Sequence, residues 1–337
     1  MLITPSSITI ITTHHCTSAC SSCCFSCSPK RTDSLATEDI IAFIKTSYEA
    51  FPSIRNVVLT GGEVLSLNLH DIRRIIGFSK TIGLSTRIVT NAFWASTEEK
   101  ARKILCELAE SGLDEINFST GDEHLRFVPI GNILNAVKIC DEIKSIKTCA
   151  TVIESGDSKT FTKDDFNRAF EAYFKKGYKS KLMLLSSPWV DLTGKSITFS
   201  AEELQHKQDT YKKSGCDNIF TGIQINPKGQ MLACCGFAAE YSPFLKMGKF
   251  PDKPSKLKEI CEEHSLDLLK MWLFLDGPRG IFDYFNQDKS CIQSLHDCEI
   301  CTRLLLDKNY IKRIASISPE KVTDIIYRMQ FKTNNLL

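Results

Sequence analysis

The 337-residue chain is 42% hydrophobic and 24% charged, with a formal net charge of +2, values of an ordinary globular protein. They exclude a basic field for nucleic acid and an acidic tail, and no apolar run approaches membrane-spanning length. Fifteen cysteines, behind a start that lacks the basic region of a secretory signal, read as metal ligands and thiols rather than a disulfide framework, in a cytoplasmic protein.

Ile8 to Thr13 is the first predicted strand. The loop after it carries Cys16, Cys20 and Cys23 at Cys-x3-Cys-x2-Cys spacing, and Cys20, Cys24 and Cys27 repeat that spacing in a second register. A helix with acidic residues in its first turn covers Thr37 to Ile44. The second strand, Ile54 to Thr60, runs into Gly61-Gly62-Glu63. Helical periodicity follows over Leu67 to Ile82. The third strand, Ser85 to Thr90, closes on Asn91. Thr97 to Ser111 is a helix stopped by Gly112. The fourth strand, Asp114 to Ser119, leads into the polar turn Thr120 to His124. A helix over Ile130 to Ile146, a strand over Thr148 to Ile153, a helix over Asp164 to Lys175 and a strand over Leu182 to Leu185 complete the alternation.

Six such alternations predict parallel βαβ units with right-handed crossovers. Six units fall short of a closed eight-unit barrel, so the expected fold is α/β, a partial (β/α)6 TIM-like barrel. Its reactive groups belong at the C-terminal ends of the strands, where the cysteine loop, Gly61 to Glu63, Asn91 and Ser119 all fall. After about Ser200 the pattern changes to a helix over Ala201 to Lys213. A hairpin of Ile219 to Asn226 with Gln230 to Cys234 follows, turning at Pro227-Lys228-Gly229. A mostly helical remainder runs to Leu337. The expected domains are 1–200 and 201–337.

Three thiolates can hold three corners of a 4Fe–4S cube and leave the fourth iron open; a zinc knuckle is the plainer use of the same residues. The triplet directly after a first strand, with Gly-Gly-Glu after the second, resembles the radical S-adenosylmethionine (radical SAM) superfamily. The first register keeps strand and first cysteine close, so it is preferred. The resemblance implies a 4Fe–4S cluster on Cys16, Cys20 and Cys23 whose open iron chelates S-adenosylmethionine. It also implies reductive cleavage to a 5′-deoxyadenosyl radical, abstraction of a substrate hydrogen, and an electron donor such as flavodoxin or ferredoxin. Gly61, Gly62 and Glu63 match the family's GGE motif, whose main contact is to the amino group of S-adenosylmethionine. Asn91, Ser119 and Asp122, with Thr90, are candidates for its carboxylate or ribose, although strand-end turns favour the same residue types. The family often has an aromatic residue before the third cysteine, where this chain has Ser22. Cys24 and Cys27 are left without a role, and His14, His15 and His124 read as structural.

In the last third, Cys216-x12-Gly229-x4-Cys234 and a later Cys298-Glu299-Ile300-Cys301 resemble the auxiliary-cluster module called SPASM, or its shorter twitch form. The resemblance implies a second 4Fe–4S cluster on Cys216, Cys234, Cys298 and Cys301, with a zinc ribbon as the alternative. Cys261 and Cys291 are present, but the full run for a further cluster is not. Cys235, beside Cys234, is a candidate hydrogen-atom donor to a substrate radical, or else a buried small side chain. Cys106, Cys140 and Cys149 read as core. Family members with this module commonly mature ribosomally made peptides by crosslinking or epimerisation, and that is the expected activity. The alternatives are a radical dehydrogenase of a small carbohydrate or natural-product intermediate, and a non-catalytic Fe–S or zinc sensor. The expected partners are a peptide or small-molecule substrate and the electron donor, with no nucleic acid and no membrane.

Overall fold

The six apolar runs form strands with small shifts at their ends. β1 (Ser7–Ile11), β2 (Asn56–Thr60), β3 (Ser85–Thr90), β4 (Glu115–Gly121), β5 (Thr148–Ser155) and β6 (Leu182–Pro188) alternate with helices. The helices are α1 (Thr37–Ala50), α2 (Leu69–Thr81), α3 (Glu98–Glu110), the single turn α4 (Asp122–Leu125), α5 (Ile130–Glu142) and α6 (Lys163–Phe174). The structure, a computed structural model, describes residues 4–21, 23–155, 161–188, 215–286 and 296–334. Ser22, Cys291, the expected helix Ala201 to Lys213 and the expected domain boundary at 200 lie outside the described residues. The chain divides into two compact units, one of Thr9–Ile44 and Arg55–Trp189, the other of Met1–Ile8, Lys45–Ile54 and Val190–Leu337.

In the first unit the strand order runs β6-β5-β4-β3-β2-β1. The pairs from β2 to β6 are parallel. β6 does not return to β1, so the sheet is an open partial barrel. One face of each strand is apolar and buried, with Val57, Leu59, Ile88, Ile116 and Phe118 at 0% exposure. The helices present stripes to match: Ile72, Ile75 and Ile76 on α2, Ala101, Leu105 and Leu108 on α3, Ile133, Ala136 and Val137 on α5. Cys140 and Cys149 are buried and hydrogen-bonded to each other, as core residues; Cys106 is half-buried. Side chains cap the helix starts: Asn68 accepts from His70 N, Thr97 from Lys100 N, and Thr162 closes a capping box with Asp165. Each such cap is worth about 1 kcal/mol.

The opposite face is different. Register places Asn117 beside Ala150, Ser119 beside Val152, Val152 beside Leu185 and Glu154 beside Ser187. On this inner face Met183 and Leu185 stay 52% and 43% exposed. Large apolar side chains left uncovered at the open end of a barrel mark a place for a ligand.

In the second unit β7 (Gly222–Ile225), β8 (Gln230–Leu232) and β9 (Lys246–Lys249) pair antiparallel. The β7–β8 turn closes with Gly229 N donating to Asn226 O, and Gly229 takes φ +69°, a conformation glycine adopts without strain. Helices Pro254–Ser265, Leu268–Phe285, Asp297–Leu306, Lys308–Ala315 and Pro319–Asn334 follow. Leu268–Phe285 breaks at Gly277 (φ 66°, ψ 174°) before Pro278. Among the described residues no helix is long and apolar enough to cross a membrane.

Candidate functional site

The two glycines after β2 are required by the backbone beside them. Gly61 has φ +131°, and a Cβ there would lie 2.5 Å from Thr13 O; a Cβ on Gly62 would lie 2.0 Å from His15 O. Both contacts are with the segment that carries β1 into the first cysteine. Gly62 N donates to Thr13 O (2.7 Å) and Glu63 N to His15 O (2.9 Å). The glycines thus let the loop come close to the chain's own backbone.

Glu63 is 0% exposed. Its carboxylate accepts from Thr90 Oγ1 (2.7 Å), Leu65 N (3.0 Å) and Asn91 N (2.8 Å). Burial pushes its pKa up to about 7, against these donors, which pull it down. The side chain ties the Gly-Gly-Glu loop to the end of β3.

From that end Asn91 reaches into the cysteine loop. Its Nδ2 lies 3.8 Å from Cys16 Sγ, 3.1 Å from Thr17 Oγ1 and 3.2 Å from Ser18 Oγ, and its Oδ1 accepts from Phe93 N (3.0 Å). Glu123, at the start of α4, holds the same loop further on, accepting from both N and Oγ of Ser21 at 2.9 Å. Arg126 pairs with Glu123. His14 is buried and bonded through Nδ1 to Asp33, and His15 Nδ1 is bonded to Arg31 O; both are structural, as expected.

Cys16, Cys20 and Cys23 are free thiols close enough to feel one another's charge. Burial raises Cys16 to about 11 and Cys20 to about 12. Cys23 is lowered to about 6 by a hydrogen bond from the Cys27 thiol, reinforced by backbone amides including Cys27 N at 3.4 Å. Cys27 is therefore a neighbour of the triplet, buried against Cys23, and its own thiol is held well above the usual range.

Ser119 sits on the inner face. Asp122 accepts from Phe161 N (2.8 Å) through Oδ1, and its buried Oδ2 has no hydrogen bond among the described residues. His124 is enclosed, pushed down to about 4 by burial, with Nδ1 3.8 Å from Glu154. Glu154, at the end of β5, is raised to about 7 by burial and then by Cys23, and it acts on Cys20 in turn. Sequence reasoning missed Glu123 and Glu154. The signal for Glu154 was its place just beyond a predicted strand that stopped at Ile153; Glu123 gives none, because its partner is remote in the chain.

In the second unit, Cys216, Cys234, Cys298 and Cys301 come together. Cys301 feels the charge of the other three, and Cys234 that of Cys216 and Cys298. A Cβ placed on Gly236 would stand 3.5 Å from Cys234 Sγ and 3.6 Å from Cys298 Sγ. Cys298 and Cys301 lie one turn apart at the start of Asp297–Leu306, on one side of the helix. Burial raises all four thiols, Cys298 to about 12. Cys216 N donates to Leu273 O (2.9 Å), a carbonyl in the last turn before the break at Gly277. Cys235 is exposed and near Cys216 and Cys298. Cys261 is buried in another helix. Among the described residues, no three His, Cys, Asp or Glu groups converge as tightly as a single metal ion requires.

The family described as the Radical SAM superfamily matches residues 10–171. No curated protein matches the sequence. Among solved structures, tagged anSMEcpe with bound AdoMet aligns with 96% of this chain and 98% of its own at 12% identity, TM-score 0.56. Native anSMEcpe with bound AdoMet and Cp18Cys peptide aligns with 99% of this chain and 100% of its own at 11% identity, TM-score 0.53. At such identities the likeness is one of fold.

Proposed function

Residues 10–171 of this chain form a radical SAM domain, and from that premise we propose an enzyme that abstracts a hydrogen from a ribosomally made peptide, crosslinking or epimerising it. The observation that carries the radical step is the grouping of three free thiols, Cys16, Cys20 and Cys23, in a loop held against the Gly-Gly-Glu backbone. Their donor chemistry fits a 4Fe–4S cluster: three thiolates, one open iron. When bound, the cluster and S-adenosylmethionine supply the one-electron chemistry; the chain binds, orients and shields.

The residues divide the work. Glu63 ties its loop to the end of β3 through three protein donors, and the Gly61 to Glu63 loop would meet the amino group of S-adenosylmethionine. Ser119 and Asp122 stand at the end of β4, where the carboxylate or ribose would lie. Met183 and Leu185 supply apolar surface on the same face as Ser119, suited to excluding water from a reactive substrate.

The four thiols Cys216, Cys234, Cys298 and Cys301 would hold a second 4Fe–4S cluster, in a C-terminal domain that starts near residue 201. This module is the reason for preferring peptide maturation, and anSMEcpe, a protein of similar fold, has been crystallised with a peptide. Cys235, exposed beside the four, is the proposed hydrogen-atom donor if the product is an epimer. The electron donor is a flavodoxin or ferredoxin of a cytoplasmic host.

The test is anaerobic reconstitution with iron and sulfide, then dithionite and S-adenosylmethionine. Formation of 5′-deoxyadenosine that is lost when Cys16, Cys20 and Cys23 are together replaced by Ala supports the radical reading. Its absence from the reconstituted wild-type chain refutes that reading. Incubation with a peptide encoded beside this gene, followed by mass spectrometry, tests the substrate. An unmodified peptide under conditions that consume S-adenosylmethionine would refute peptide maturation.

A further inference from the structure

Asn91 is placed to do something other than meet S-adenosylmethionine. An amide nitrogen has two hydrogens to give, and three acceptors surround this one: Cys16 Sγ, Thr17 Oγ1 and Ser18 Oγ. The orientation is fixed from behind, since Asn91 Oδ1 accepts from Phe93 N and Asn91 N donates to the buried Glu63. Asn132, from α5, holds the carbonyls of Ala92 and Phe93 at 3.1 Å and so braces the turn. The side chain is 5% exposed and its donors are spent on the cysteine loop.

Resting on the core cluster proposed above, we propose that Asn91 is a positioning residue that donates an N–H to the Cys16 ligand sulfur and thereby raises the reduction potential of the cluster. Reduction by an external one-electron donor adds one negative charge, part of which settles on the ligand sulfurs. A hydrogen-bond dipole aimed at one of them stabilises the reduced state more than the oxidised state. Ser18 N, 3.4 Å from Cys16 Sγ, gives the same sulfur a backbone donor, which side-chain substitution leaves in place. Asn91 is thus the removable part of the shell.

The experiment is a dithionite titration of the full reconstituted chain, followed by electron paramagnetic resonance. The core signal is the one missing from the Cys16→Ala, Cys20→Ala, Cys23→Ala variant. Three variants are compared. Asn91→Ala removes donor and clamp together. Asn91→Asp keeps the shape and can accept from the Thr17 and Ser18 hydroxyls, but has no N–H. Thr17→Ala with Ser18→Ala removes the clamp partners and keeps the donor. Iron content is measured on each, before any activity. Losing one such donor should make core reduction about threefold to tenfold less favourable, tenfold being about 59 mV for a one-electron couple.

The expected result is a lower potential in Asn91→Ala and Asn91→Asp and an unchanged one in the Thr17/Ser18 double variant. An unchanged potential in Asn91→Asp overturns the proposal. So does an equal fall in the double variant, which would assign the effect to loop position. If Asn91→Ala takes up no core iron, Asn91→Leu, which lacks the N–H and adds no charge, takes its place, and loss of core iron from both with a normal double variant would make Asn91 a loading residue and overturn the tuning role. Failure of the wild-type chain to take up core iron would instead refute the function reading itself, so the two failures are distinct.

Discussion

Glu63 is a carboxyl group with no exposure to water, held by Leu65, Thr90 and Asn91. Burial moves its pKa from 4.5 to about 7. Because the folded value is the higher one, the folded chain keeps a proton that the unfolded chain has already released between these two points. The stability contributed by this group is fully present below pH 4.5 and is lost as the pH rises through 7. A separation of 2.5 pH units, at ~1.36 kcal/mol each, amounts to about 3 kcal/mol. Glu63→Gln copies the protonated shape and does not titrate. Urea unfolding of the metal-free, reduced chain at pH 4 and pH 8, beside the Gln variant, isolates the difference. The variant should gain about 3 kcal/mol on the parent over that range. A difference that stays constant with pH would refute the reasoning, and would mean that the three donors outweigh burial and keep Glu63 an ordinary acid.

Replacing Cys24 or Cys27 by Ala should leave S-adenosylmethionine cleavage measurable, whereas Cys16→Ala should abolish it; the opposite pattern in a 5′-deoxyadenosine assay would select the second register. The triple core variant should still retain about four iron and four sulfide per chain on the auxiliary cysteines, and zinc without sulfide in elemental analysis would select the ribbon. Gly62→Ala must push its Cβ off His15 O, 2.0 Å away, so melting temperature and core iron should both fall, while Gly131→Ala, with open space around it, should change neither. Cys235→Ala should keep auxiliary iron at the wild-type level; loss of about four iron in that variant would make Cys235 a ligand.

The core fold was legible because its strands are short β-branched runs bounded by glycine and polar turns, and its helices carry apolar stripes at the right period. β9 was not legible: Lys-Met-Gly-Lys has no alternation, and its strand form is supplied by pairing with β8. The resemblance to an auxiliary-cluster module singled out Cys216, Cys234, Cys298 and Cys301, which come together in the fold, and Gly229 was legible from the turn it makes. What spacing could not show was which partner a polar residue would choose. Glu63, from its motif, and Asn91, from its place at a strand end, stood as candidates for contact with S-adenosylmethionine; what the sequence did not reveal is that Glu63 is bonded by Leu65 N, Thr90 Oγ1 and Asn91 N and that Asn91 Nδ2 meets the cysteine loop. Two adjacent glycines permit a close backbone approach by residue type alone; that its object is the Thr13 to His15 backbone is visible only in the fold.

The broken helix Leu268–Phe285 ties together two parts of the sequence that otherwise look independent. Pro278 has no N–H, so Phe274 O lacks the helical partner four residues on. Leu273 O accepts from Cys216 N, Phe274 O receives Lys332 Nζ at 3.4 Å, and Phe274 O lies so near Gly215 that a Cβ there would be 1.6 Å away. Gly215 and Cys216 are therefore packed against the turn that ends at Gly277 and Pro278. A residue at 278 that carried an N–H would reach back to Phe274 O, the atom that leaves no room for a side chain at 215. An engineer moving the hairpin to another scaffold would have to carry the helix break with it.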